Sequence, residues 1–264
     1  MTLLSSASSS FFTPFKSTRL MEELPNTFTL FVEEEEPHPL CLLAAKELQV
    51  HLKNQEEWNH NFGLDENEEG AVIGKMFGVL VVKTTEGELG YLAAFSGKLA
   101  GANHHRLFVP PVFDSLTDGG FLNLGMEELR RINNEVVTLE AEGTEASKEK
   151  INDLKTLRRN NSIALQQQLF EAYHFLNLAG EEKSLNEIFK QLFYKSPPSG
   201  AGECAGLKLL QYAFQQKMKP LVMAEFWWGK SPKSSFWKHG QFYPCCKEKC
   251  EPILAHMLKG IDEG

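Results

Sequence analysis

Three short apolar runs decide what this chain can fold into: residues 76–82, 89–95 and 221–226. Each has the length and residue types of a strand, and the first two are separated only by Thr84, Thr85, Glu86, Gly87 and Glu88, the composition of a hairpin turn. Strands this apolar must cover their faces, and the segments around them offer helices to do so. The expected class is therefore α/β (α+β), a mixed sheet flanked by helices.

The helices are read from spacing. Leu43, Leu48 and Leu52 place one helix over 42–52, behind Pro37, His38, Pro39, Leu40 and Cys41. An acidic loop, 65–70, precedes the first strand. The Pro110-Pro111 pair and Gly119-Gly120 mark 108–120 as loop or edge. A different regime follows, rich in Glu, Lys, Arg, Leu and Gln. Leu129, Ile132, Val136 and Leu139, then Leu154, Leu157, Leu165 and Leu169, predict two long helices over 126–142 and 145–178 that turn at Gly143-Thr144. Further helices are expected over 185–193, 205–215 and 250–258. The domain plan is an N-terminal arm at 1–24, one mixed α/β domain from 25–124 and 179–264, and a helical hairpin insertion at 125–178. That insertion reads as a solvated coiled coil, or as a structural or dimerisation arm.

Composition narrows the function classes. The chain has 264 residues, 42% of them hydrophobic, so it can fill a core, and its net charge of −8 argues against a globally basic nucleic-acid binder while leaving room for local basic patches. No window nears the roughly 18 apolar residues of a membrane span, so a cytoplasmic protein with no membrane partner is expected. The Ser-rich start, with Lys16 and Arg19 as its charges, reads as an apolar arm rather than a leader. Five cysteines, an odd number and mostly clustered, suit a reducing compartment and metal-bound or buried thiols better than a disulfide framework.

Four of those cysteines fall between 204 and 250. Cys204, Cys246 and Cys250 are candidate zinc ligands, with Cys245 or His239 as a fourth, because both segments open a helix, where a thiolate is favoured. Glu203, beside Cys204, is the candidate acid–base group. This order is similar to that of the zinc deaminases of bases and nucleosides, which set a ligand and a glutamate at one helix start and two cysteines after the next strand. The spacing departs from theirs: the glutamate here directly precedes the cysteine, and Cys246 and Cys250 are separated by three residues. That resemblance implies a deaminase-like fold and, as an alternative function, a zinc-dependent enzyme. The segment also alternates Trp227, Trp228, Phe236, Trp237, Phe242 and Tyr243 with lysines. Rings that stack on bases and ammonium groups that meet phosphate make Lys230, Lys233, Trp237, Lys238, His239, Lys247 and Lys249 the candidate RNA contacts.

Taken together, the blocks 37–41, 74–82, 90–97, 108–114 and 200–250 resemble the long N-terminal region that precedes the catalytic domain in extended RluA-type RNA pseudouridine synthases. The resemblance covers the chain from about Pro25 onward. It implies an accessory module that binds tRNA or rRNA for a pseudouridine synthase (isomerase) catalytic domain acting in cis or in trans. The catalytic aspartate of the H-R-L-D motif has no counterpart here. The nearest string, His105-Arg106-Leu107-Phe108, ends in a residue that cannot act as a nucleophile, so this chain alone is expected not to be catalytic.

Overall fold

The computed structural model describes residues 11–15, 24–32, 36–190, 196–232 and 236–260. The chain divides into two compact units: one from Met1–Val112, Phe175–Glu182 and Pro198–Gly264, the other from Phe113–His174 and Lys183–Pro197.

The larger unit is built on a mixed sheet. Strands β1 (Thr13–Pro14), β2 (Thr29–Leu30), β3 (Lys75–Lys83), β4 (Leu89–Phe95), β7 (Lys219–Trp228) and β8 (Phe242–Tyr243) form it in the order β1-β4-β3-β7-β2, with β8 also on β7. Strand β3 is central and antiparallel to both neighbours, with Val79 opposite Ala93 on β4 and opposite Ala224 on β7. Strand β2 runs parallel to β7. The β3–β4 turn closes as its composition predicts: Gly87 N donates to Thr84 O, Thr84 N donates to Glu88 O, and Gly87 takes the left-handed φ of 88°.

Period-two alternation assigns the two faces of the sheet. Phe77, Val79, Val81, Tyr91, Ala93, Phe95, Ala224 and Phe226 pack with Leu40, Cys41, Ala44, Leu48 and Leu52 of α1 (Pro39–Asn54). That helix starts on His38, whose ring Nδ1 accepts from Leu40 N at 3.2 Å, with Pro39 in the first turn. The opposite face takes α5 (Ala205–Gln215) so closely that a Cβ on Gly78 would lie 3.0 Å from both the Ala205 and Leu209 side chains, and one on Gly206 2.8 Å from Met223. Small residues at these points let the helix backbone approach the strand. Helix α6 (Glu251–Met257) packs beside α5.

Two residues beyond the end of α5, Lys217 is a non-glycine residue at φ 55°, and Met218 N donates back to Ala213 O at 2.8 Å. This is a left-handed helix stop that glycine fits without the Cβ clash. Lys217→Gly is expected to raise stability by about 1 kcal/mol in urea denaturation, and a loss of stability would show that the lysine stem contributes more than the strain.

The second unit holds α2 (Phe121–Glu142) and α3 (Glu145–Ala172). Gly143 turns the chain at φ 64°, and the Thr144 hydroxyl caps α3 by accepting from Ser147 N. Ile132, Val136 and Leu139 pack against Ile151 and Leu154, and Lys150–Glu135 (2.9 Å) and Lys155–Glu140 (2.8 Å) pair across the two helices. Helix α3 stops earlier than its spacing predicts. Tyr173 turns extended, at ψ 112°, and the chain enters β5 (His174–Leu176), which pairs with β6 (Glu182–Ser184). Helix α4 (Leu185–Lys190) opens on a reciprocal cap, with Ser184 N donating to Glu187 Oε2 at 2.7 Å and Glu187 N to Ser184 Oγ at 3.2 Å. The expected continuation of α4 to 193 lies outside the described residues. Among the described residues, no helix is long and apolar enough to cross a membrane.

Candidate functional site

Two clusters of chemically distinctive side chains lie in the larger unit. The first gathers where α5 and α6 begin. Gly200 (φ 76°) and Gly202 (φ 94°) turn the chain so that Cys204 occupies the N-cap of α5, while Cys250 occupies that of α6. Neither cysteine makes a capping bond through its side chain. In α5 that role falls to Glu225, reaching over from β7: Gly206 N donates to its Oε1 at 2.9 Å. Glu225 is 8% exposed, and burial pushes its carboxyl up to about 7 against the lowering pull of that bond.

One turn further along α5, Lys208 is 2% exposed. Its ammonium donates to Phe95 O (3.0 Å) and Gly97 O (2.9 Å), and lies 5.0 Å from the Phe95 ring centroid. Burial lowers its pKa to about 8, and Glu203, 3.8 Å away, opposes that shift. Glu203, the expected acid–base group, thus stands as a counter-ion to a buried lysine, and its carbonyl accepts from Gly97 N at 2.9 Å. Together these contacts tie the end of β4 to the start of α5.

The expected zinc trio does not assemble. Cys204 and Cys250 form a disulfide, with Cα atoms 6.8 Å apart, rather than two thiols in a reducing compartment. Cys246 is exposed, and its carbonyl, not its sulfur, serves the turn by accepting from Cys250 N and Glu251 N. Cys245 is half-buried, its thiol held up to about 11 by burial and then by the Glu225 charge. Among the described residues, no three His, Cys, Asp or Glu side chains are placed to hold a metal ion. His239, the other expected fourth ligand, points elsewhere: its Nδ1 accepts from Gly229 N at 3.0 Å. The donor set therefore does not fit zinc, and no zinc-dependent step follows from this geometry.

The second cluster is the aromatic segment after β7. Trp228 is core, 2% exposed and against the Phe226 ring. Trp227 is half-buried and stacks on Trp237, with centroids 5.5 Å apart and ring planes 21° apart. Trp237 meets Phe236 and Tyr243 edge-on, at 4.9 and 4.6 Å. The Tyr243 hydroxyl fixes the segment by accepting from Lys238 N (2.7 Å) and donating to Phe236 O (3.0 Å). Phe236 is left 58% exposed beside the exposed Lys238 and His239. Lys230 N donates to Phe62 O at 2.7 Å, and Lys230 O lies 3.4 Å from Trp227 Nε1. No described residue forms an ion pair with the Lys230 or Lys238 ammonium. The His239 ring packs on Trp228 at 4.4 Å, and burial lowers its pKa, helped by Lys53, so it is neutral at pH 7.

The structure thus brings together Lys230, Trp237, Lys238 and His239. Lys233 lies outside the described residues. Lys249 belongs to the first cluster, since a Cβ on Gly200 would lie 3.8 Å from its Nζ, and Lys247 is exposed on the turn leading to α6. His105 Nε2 donates to Leu99 O (2.8 Å) and the ring packs against Trp58 and Phe95, while Phe108 is core at 1% exposure. Residue spacing did not single out Glu225, Lys208 or Lys75. A lone charge inside an otherwise apolar strand or helix was the available signal for the first two. No family model, no curated protein and no solved structure matches the chain.

Proposed function

We propose that this chain is an accessory RNA-binding module of an RNA pseudouridine synthase, with the isomerisation itself carried by a catalytic domain in cis or in trans. The observation that supports it most is the exposed Phe236 ring, set edge-on to the Trp237–Trp227 stack in a segment that also carries the exposed Lys230 and Lys238, neither of which forms an ion pair with a described residue. A ring held rigidly by Tyr243 offers a base a stacking surface without an ordering cost at binding, and the lysines supply phosphate contacts that carry no sequence preference. The block resemblance to the N-terminal region of RluA-type synthases supplies the context. The nearest string to the family's catalytic motif ends in Phe108, a core residue that cannot act as a nucleophile, which supports a binding role for this chain.

The test is tRNA binding at several salt concentrations. The double variant Lys230→Glu, Lys238→Glu is expected to bind at least tenfold more weakly and with a shallower salt dependence, by about one unit of slope per lost contact. Phe236→Ala should weaken binding without changing the slope, because stacking releases no counterions. Unchanged affinity in both variants would remove the assignment.

A further inference from the structure

A pocket of about 470 Å³ is lined by His60, Glu69, Lys75, Lys98, Ala100 and Gly101 among others. Three observations distinguish it. First, Lys75 stands half-buried at the start of β3, and its ammonium makes no hydrogen bond and no ion pair with any described residue. Burial lowers its pKa, and Glu203 acts on it only at a distance longer than an ion pair. A desolvated cation of this kind lacks the partner that buried charges ordinarily have.

Second, Lys98 lines the same pocket, exposed and likewise without an ion pair among the described residues. Third, Ala100 (φ 47°) and Gly101 (φ 78°) are consecutive left-handed residues in a turn closed by the mutual bonds of Leu99 and Ala102. Alanine in that conformation costs about 1 kcal/mol, the kind of local strain that collects at binding sites. His60 holds the turn in place. Its Nε2 donates to Ile73 O at 2.8 Å and its Nδ1 faces Ala100 N at 3.4 Å; burial lowers its pKa, and the bond to Ile73 O opposes that shift.

We infer that this pocket binds a phosphate group, with the Lys75 and Lys98 ammonium groups as its cationic partners and the Ala100-Gly101 turn as its floor. Glu69 on the rim and Glu203 behind Lys75 limit how much negative charge it accepts, which favours a singly charged phosphodiester or monoanionic phosphate over a polyphosphate. The site does not depend on the RNA reading, because its ligand chemistry is shared by an RNA backbone and by a small phosphorylated molecule.

The experiment is titration of the full chain with inorganic phosphate at constant ionic strength, followed by amide shifts of Ala100 and Gly101 and by calorimetry. Saturable shifts at these amides, lost at least tenfold in affinity in Lys75→Met and in Lys98→Met, are expected. Shifts that follow chloride equally, or spread over the lysine-bearing surface without saturating, would overturn the site. Should Lys75→Met fail to fold, Lys98→Met and the wild-type amide shifts still decide. Weaker tRNA binding by Lys98→Met then identifies the phosphate as RNA backbone, and unchanged tRNA binding with phosphate affinity lost identifies a small ligand. Failure of the aromatic surface to bind RNA leaves the phosphate result standing.

Discussion

Reducing the Cys204–Cys250 disulfide is expected to cost about 4 kcal/mol of stability, the largest single effect in this chain. The bridge closes a segment of sequence separation 46, and the loop-entropy relation for that length gives a value of this size. The measurement is urea denaturation with and without a phosphine reductant, repeated on Cys204→Ser, Cys250→Ser. The double variant should lose a similar amount and no longer respond to reductant. The loss should concentrate in α6, which the bridge fastens to the start of α5 and whose Ile253, Leu254 and Met257 are buried. Equal stability of the oxidised and reduced chains would mean that the pair is not closed in solution.

The second large effect is the pH dependence set by Glu225. Its carboxyl is held up to about 7 in the folded chain, against an ordinary 4.5. Below the ordinary value both states are protonated, and Glu225 costs nothing. Between the two values the unfolded chain ionises while the folded chain cannot, so stability falls as pH rises and is fully reduced above the folded value. The shift corresponds to roughly 3 kcal/mol lost between about pH 4.5 and 7. Glu225→Gln keeps an acceptor for Gly206 N and removes the charge. It is expected to be the more stable protein at pH 8 and to show a flatter profile across that window. A wild-type profile retained in the variant would assign the dependence to groups other than Glu225. Lys208 works with the opposite sign and in a higher window: its lowered pKa means that stability rises as pH goes from about 8 toward the ordinary lysine value.

Glu225 and Lys208 also show where the sequence is legible and where it is not. The central strands and α1, α2 and α5 could be read because long apolar runs and three-to-four spacing are repeated signals. Helix α5 in particular spans the predicted 205–215. Strands β1, β2 and β8 have two residues each, and no period exists in two residues; their pairing depends on sheet edges supplied by distant segments. The α3 boundary was overrun because Phe170, Phe175 and Leu176 continue the apolar count while the backbone turns extended at Tyr173. In the sites, local chemistry was readable and convergence was not. Trp237, Lys238 and His239 lie within one segment, so their grouping follows from the sequence. The meeting of Cys204 with Cys250, of Gly206 with Glu225, and of Lys75 with Lys98 depends on which elements the sheet sets side by side.

The central place of β3 has a consequence for the order of events on the ribosome. Its partner β4 follows within one turn, but its other partner, β7, is encoded after the whole of the second unit. At ordinary rates of synthesis, roughly ten seconds pass between the two. During that interval an almost wholly apolar strand presents an open edge, the arrangement most prone to pair with the wrong chain. The nascent protein therefore has a window of vulnerability fixed by gene order, and shortening the segment between β4 and α5 should narrow it.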